Sequence, residues 1–237
     1  LANASRDTAL LISCGDGAGL VVADNVLSNS TNSDGLYVYS SNCNLSAAIT
    51  GNEFSYNYEG AYLEGLCNFT MSGNTALNNS EYGIMVNYCQ NGTMQNNTIS
   101  GSRYNFGIDG WALPYFIHDI GASNTVEGRS VQYLVSLSGI EVPADAGFIG
   151  IVNCTNVNAT GQDVSRNYEG LLIAYSNGTT AEDVRLHLNY YGAYILFSSG
   201  TVIADSTLSD DEYGASSYSS STAYSGDTIR DCYYGIE

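Results

Sequence analysis

Hydrophobic and polar positions alternate along this chain in short runs, and the runs recur. "GLYVYS", "GAYLEG", "GIMVNY" and "GLLIAY" each alternate over four to six residues. A period of two places apolar side chains on one face of a strand. Tyr, Val, Ile and Thr dominate these runs, and Gly or Asn clusters bound them, as strands require. A second short run recurs in each unit ("NLSAAIT", "NFTMSG", "TVIADS"), and a third follows it ("NEFSY", "NTISG", "RLHLN"). Regular arrays of helix formers are missing. The pattern predicts an all-β chain with three short strands per unit.

The units align on a glycine that precedes an apolar residue. These anchors are Gly35, Gly60, Gly83, Gly107, Gly147, Gly170, Gly192, Gly214 and Gly235, spaced 21–25 residues apart with one wide gap before Gly147. Self-similarity at such a period marks a solenoid. Three strands per coil of 21–25 residues predicts a parallel β-helix, a stack of β-arches. An antiparallel sandwich would not hold one phrase in register through so many copies. The prediction is one domain: N-terminal coils over 1–108, an aperiodic insert over 109–146, and C-terminal coils over 147–237.

In such a stack equivalent strands lie about 4.8 Å apart. Leu36, Ala61, Ile84, Phe148, Leu171 and Ala193 are expected to point inward. The anchor glycines are expected at tight corners with positive φ. Asn57, Asn167 and Asn189 are expected at a left-handed corner, forming an amide ladder. Tyr58, Tyr82, Tyr168, Tyr191 and Tyr213 would stack beside it.

The same stacking bears on the cysteines. Cys43, Cys67, Cys89 and Cys154 sit six to eight residues past an anchor glycine, and Cys14 fits the same slot. One coil of separation falls inside the 4.4–6.8 Å Cα window of a disulfide. Two registers stay open: Cys14–Cys43 with Cys67–Cys89, or Cys43–Cys67. Cys154 and Cys232 are left over, which points to pairing between molecules.

Composition narrows the function. The formal charge is −18, from 24 acidic residues against six basic ones, all Arg. No basic stripe is available for phosphates, which excludes nucleic acid and adhesion to anionic lipid. No apolar stretch reaches the ~20 residues of a membrane span. The chain begins "LANASRDTALL" without Met and reads as a mature chain whose leader was removed. Sequons at Asn44, Asn68, Asn91, Asn96, Asn153, Asn158 and Asn177 mark glycosylation candidates. With six Cys, they point to an oxidising, extracellular or cell-surface setting.

The insert reads "HDIGASNTVEGRSVQYLV" and leads into "VPADAGFIGIVNCTNVNAT". These phrases resemble the NosD-type, carbohydrate-binding/sugar-hydrolase-like β-helix proteins common on archaeal cell surfaces. The resemblance implies a right-handed parallel β-helix with an excursion at 109–146. It says little about activity.

Candidate chemistry is thin. His118 and His187 are the only histidines, and neither is expected to bind metal or catalyse. Copper would want Met, His or Cys clusters. The lyases of this fold use clustered Asp with a Lys or Arg base; Lys is absent, and Arg103, Arg129, Arg166, Arg185 and Arg230 are scattered. A glycosidase needs carboxylates within roughly 5–9.5 Å. Asp163 with Glu182, Asp183 and Asp205 could share one face, and Asp210, Asp211 and Glu212 form a second acidic run. Both read as solvated turns or weak cation sites.

No enzymatic activity, cofactor or metal is therefore expected. Neither terminus reads as a cap, and Lys and edge Pro are missing, so strand addition between copies is expected. The leading expectation is a structural envelope protein that self-assembles into a sheath or surface-layer homopolymer, locked by disulfides. Within the resembling group, the nearest role is the sheath of filamentous methanogens. The alternative is a surface protein that binds or cleaves carbohydrate, with sugars or cations as partners.

Overall fold

A computed structural model describes residues 10–13, 19–41 and 45–237. The chain divides into two compact units, Leu1–Gly128 and Arg129–Glu237. Each is a stack of parallel strands. Among the described residues the only helical element is a three-residue 3-10 turn, Leu113–Tyr115.

In the first unit, face A stacks Leu10–Ser13, Leu36–Tyr39, Ala61–Glu64, Tyr82–Asn87 and Tyr104–Asp109. Face B stacks Gly19–Ala23, Ser46–Thr50, Thr70–Ser72, Thr93–Gln95 and Asp119–Ile120. Face C stacks Val26–Ser28, Glu53–Ser55, Thr75–Leu77, Thr98–Ser100 and Thr125–Val126. In the second unit face A runs through Arg129–Val135, Phe148–Val152, Glu169–Ala174, Tyr191–Leu196, Tyr213–Tyr218 and Tyr234–Ile236. Its face B holds Asn158–Thr160, Thr180–Glu182, Thr201–Ala204 and Thr222–Ser225. Its face C holds Asp163–Ser165, Arg185–His187, Thr207–Ser209 and Thr228–Arg230. Three strands per coil with matched register is the expected parallel β-solenoid.

Each core is a set of axial columns. In the first unit Leu36, Ala61, Ile84 and Phe106 share one column, and Leu27, Phe54, Ala76, Ile99 and Val126 another. Each column mixes large residues with an alanine, and all of these side chains are buried. In the second unit Ile151, Ile173 and Ile195 stack, beside Val164, Leu186 and Leu208. Fully burying one such side chain contributes about 1.5–3 kcal/mol. The inward slot expected of Phe148 belongs to Ile149, which pairs with Leu171. Gly107 is likewise displaced: Ile84 pairs with Phe106, so Asn105 takes the anchor position.

The corners are held by ladders of polar side chains. Asn25, Asn52, Asn74, Asn97 and Asn124 stack between faces B and C. Each backbone N–H donates to the Oδ1 of the next rung at 3.0–3.1 Å. Asn57 and Asn79 lie between faces C and A of the first unit, and Asn167, Asn189 and Asp211 between those of the second.

The expected amide ladder is present, but the left-handed residue is not the Asn. It is the residue before it: Tyr56, Asn78, Arg166, Leu188 and Asp210 all have φ near +55° to +60°. Nor do the anchor glycines need positive φ; a close approach requires them. A Cβ on Gly35 would lie 2.7 Å from the Gly60 carbonyl oxygen and 2.6 Å from Asn57 Nδ2, and one on Gly170 would lie 2.7 Å from Asn189 Nδ2.

Most of segment 109–146 follows the coil pattern. Asp119–Ile120 extends face B and Thr125–Val126 extends face C of the first unit. Arg129–Val135 pairs with Phe148–Val152 in the second. The departures from the coil pattern are the turn around Leu113–Tyr115 and the approach to Phe148.

Candidate functional site

The outward side of face A in the first unit carries the densest chemistry. Strand pairing sets three columns on it. One begins Asp34, Glu59 and continues to Tyr82 and Tyr104. The second holds Tyr37, Tyr62 and Met85. The third holds Tyr39, Glu64, Asn87 and Asp109. Alternation along each strand turns these side chains away from the core, while Leu36, Val38 and Leu63 point in.

Asp34, Tyr37, Glu59, Tyr62 and Glu64 line a depression of about 320 Å³. A second, of about 370 Å³, shares Glu64 and adds Tyr39, Ser40, Ser41, Gly65, Tyr88, Gln90 and Tyr115. Together they form a groove walled by tyrosines and carboxyls. Its parts are pre-positioned. Tyr37 donates its hydroxyl to Glu64 Oε2 at 2.6 Å, and Asn87 Nδ2 donates to the Tyr62 hydroxyl at 2.9 Å. The Tyr37 and Tyr62 rings meet edge to face at 5.6 Å, and Tyr88 meets Tyr115 the same way at 5.3 Å.

Burial and crowding by like charge set the protonation. Desolvation, then the nearby Asp34 and Glu81 carboxylates, push Glu59 up to about 8. Glu59 therefore holds its proton more tightly than an ordinary carboxyl, with Asp34 as its neighbour. Burial and the neighbouring carboxylates also raise Tyr37 and Tyr62, so both stay neutral donors. Arg103 lies near this face, but it is paired with Glu81 at 3.2 Å and sits over the Tyr104 ring at 4.9 Å.

The acidic groups singled out from the sequence do not converge. Asp163 lies on face C, bonded to His187 Nε2 at 2.9 Å and to Arg185 at 3.5 Å. Glu182 lies on face B, while Asp183 and Asp205 occupy left-handed corner positions. Asp211 is not a solvated turn residue. It is a buried rung whose Oδ1 accepts the Asn189 N–H at 2.7 Å, and burial pushes it up to about 8.

His118 is a structural residue. Its Nδ1 accepts the Gly92 N–H at 3.0 Å and its Nε2 meets the Tyr115 carbonyl at 2.8 Å. Burial lowers it to about 4, so the ring stays neutral.

The cysteines remove one of the two expected registers. Cys67 pairs across the sheet with Gln90, one residue out of step with Cys89. Cys89 faces Leu66, whose N–H donates to its sulfur at 3.4 Å. The Cys67–Cys89 bridge is therefore not formed. Cys67 is disulfide-bonded, whereas Cys89, Cys154 and Cys232 are free thiols. The partner of Cys67, and Cys14, Cys43 and Asn44 themselves, lie outside the described residues.

Cys154 takes a ladder position: its sulfur accepts the Leu137 N–H at 3.4 Å, and its own N–H donates to Ser176 Oγ at 3.0 Å. Ser176 and Ser198 continue the same ladder. Burial pushes the Cys89 thiol up to about 12. Asn68, Asn91, Asn96, Asn153, Asn158 and Asn177 are all exposed.

The groove itself was not singled out from the sequence. Its signal lay in the aligned phrases "SDGLYVY" and "YEGAYLE", where an acid precedes the anchor glycine and a tyrosine follows two residues after it.

Fold and groove together define a parallel β-solenoid with an aromatic–acidic face. The chain belongs to the NosD family, described as periplasmic copper-binding protein, which it matches over residues 2–111 and 120–237. Among solved structures it is similar to an alginate lyase from Paenibacillus sp. str. FPU-7, at 10% identity and a TM-score of 0.33, over 93% of this chain and 100% of that one. It is also similar to the A-module of the mannuronan C-5 epimerase AlgE6 of Azotobacter vinelandii, at 12% identity and a TM-score of 0.24, over 96% of this chain and 79% of that one. Neither likeness bears on activity. No curated protein matches. No helix among the described residues is long and apolar enough to cross a membrane.

The described residues do not fit a copper site. Copper selects thiolate, thioether or imidazole donors converging on one point. Here His118 has both ring nitrogens engaged and is buried. Met71, Met85 and Met94 are buried as well, and Cys89 and Cys154 are held in corner hydrogen bonds. Among the described residues no group of three or more His, Cys, Asp or Glu is placed to hold a metal.

Proposed function

We propose that this is a secreted or surface β-solenoid that binds a polymeric saccharide along face A of its first unit. The observation that carries the reading is the groove of Asp34, Tyr37, Glu59, Tyr62 and Glu64, continued by Tyr39, Tyr88 and Tyr115. Tyrosine rings present flat apolar faces to sugar rings while their hydroxyls and the carboxyls receive sugar hydroxyls. A stack of coils repeats the surface at a fixed interval, which suits a polymer. One variant in the groove and one outside it make the test. Binding to immobilised polysaccharides should fall at least tenfold in Tyr37→Ala/Tyr62→Ala and stay unchanged in Asp163→Asn. Equal binding by both variants contradicts the reading.

Cleavage is a second reading, favoured by the raised proton affinity of the half-buried Glu59 beside Asp34. Release of reducing ends that disappears in Glu59→Gln would establish it; no release from any bound polysaccharide would leave a binding protein.

Assembly into a sheath or surface-layer polymer is a separate proposal, supported by the repeat architecture. Cys89 and Cys154 are buried, so Cys232 is the described free thiol with exposure for bridging between copies. Sedimentation with and without reductant tests it. The exposed sequons are proposed as glycosylation sites, to be checked by mass of the native protein.

A further inference from the structure

We propose that the face A depression recognises an organic ammonium group, so that the saccharide it takes is an amino sugar rather than a uronate. This rests on the glycan reading and narrows it.

The depression is an open cage. Tyr37 and Tyr62 supply two rings of different orientation, 5.6 Å apart and 77° between planes. Asp34, Glu59 and Glu64 supply carboxyls around the same space. An ammonium is attracted both by the negative face of a tyrosine ring and by carboxylates. A carboxylate ligand meets the opposite: the carboxylates of Asp34 and Glu64 here, with Glu81 close by, in a chain of formal charge −18. The cation on this face, Arg103, is already held by Glu81. The size fits one charged group with its sugar ring, not a deep ligand.

The cage is also polarised in advance. Asp34 and Glu59 lie side by side in adjacent coils, and burial with the neighbouring Asp34 favours a proton on Glu59. That proton stands in for a cation. An ammonium entering the cage would replace it, and Glu59 would release it to solvent. No bond is made or broken beyond this transfer.

Titration calorimetry on the whole chain at pH 6.5 tests the proposal with four probes: glucosamine hexamer, N-acetylglucosamine hexamer, galacturonate hexamer and spermidine. Glucosamine hexamer should bind at least tenfold tighter than the acetylated hexamer. Its binding should weaken with salt. Galacturonate hexamer should not bind. Repeating the titration in two buffers of different ionisation heat should show proton release, and Glu59→Gln should abolish the release. If the acetylated hexamer binds as tightly as glucosamine hexamer, the ammonium proposal fails and the glycan reading stands. If spermidine binds and no hexamer does, ammonium recognition stands and the glycan reading fails. If none of the four binds, both fail. The selectivity is read on the unaltered protein, so it survives any variant that does not fold.

Discussion

Cys154 and Asp211 show how much depends on what a single side chain offers its neighbours. Both occupy positions where a rung must accept a backbone N–H from an adjacent coil. Sulfur does this in a slot that Ser176 and Ser198 otherwise fill. Cys154→Ser should therefore cost less than about 1 kcal/mol, whereas Cys154→Val should cost about 1–3 kcal/mol by stranding the Leu137 N–H. Chemical denaturation distinguishes the two, and equal losses would contradict a ladder role.

Asp211 sits where Asn167 and Asn189 precede it, yet a carboxylate lacks the donor of an amide. Its Oδ2 is buried without a hydrogen-bond partner, and only the protonated acid can imitate asparagine. The folded state therefore holds a proton that the unfolded chain gives up near pH 4. Glu59 behaves the same way in the groove. Their contribution to stability is complete at low pH and fades as pH rises from about 4 towards about 8. Asp211→Asn should be more stable than the parent by about 1–3 kcal/mol at pH 9 and nearly equal to it at pH 4. Urea midpoints at the two pH values give the comparison, and an unchanged difference would refute the assignment.

At the scale of the element, strand faces were legible and corners were not. Alternation alone placed Leu36, Ala61, Ile84, Leu171 and Ala193 inward, because the strand period is two and one face is buried. The corner geometry was hidden because left-handed residues include Tyr56, Arg166 and Leu188, types that do not announce such turns. The polar rung that follows each one fixes the backbone there, so residue type matters less than its neighbour. Leu188→Gly should therefore be neutral or stabilising by up to about 1 kcal/mol, since Leu188 is exposed and its backbone strain is relieved. Gly35→Ala should destabilise strongly, by more than about 2 kcal/mol, because backbone and the Asn57 amide fill the space. Thermal unfolding of both variants checks the contrast. The sequence left two cysteine registers open for a related reason: counting from the glycine tolerated a one-residue offset, and one residue separates Cys67 opposite Gln90 from Cys89 opposite Leu66, which removes the Cys67–Cys89 bridge.

At the scale of the molecule, the repeat period and composition were enough to reach a parallel β-solenoid. They were not enough to find the groove. Its residues lie in separate coils, and only the strand register brings Asp34 beside Glu59 and Tyr37 beside Tyr62. Sequence inspection favoured acids close together along the chain, such as Asp210 and Asp211, which the fold assigns to a turn and a buried ladder. The central claim is that face A of the first unit is the ligand surface. Hydroxyl-radical footprinting of the tyrosines, with and without a bound oligosaccharide, addresses it directly. The account predicts protection of Tyr37, Tyr39, Tyr62 and Tyr88, with Tyr218 and Tyr233 unchanged. Protection at Tyr218 and Tyr233 with none on the first unit would contradict it.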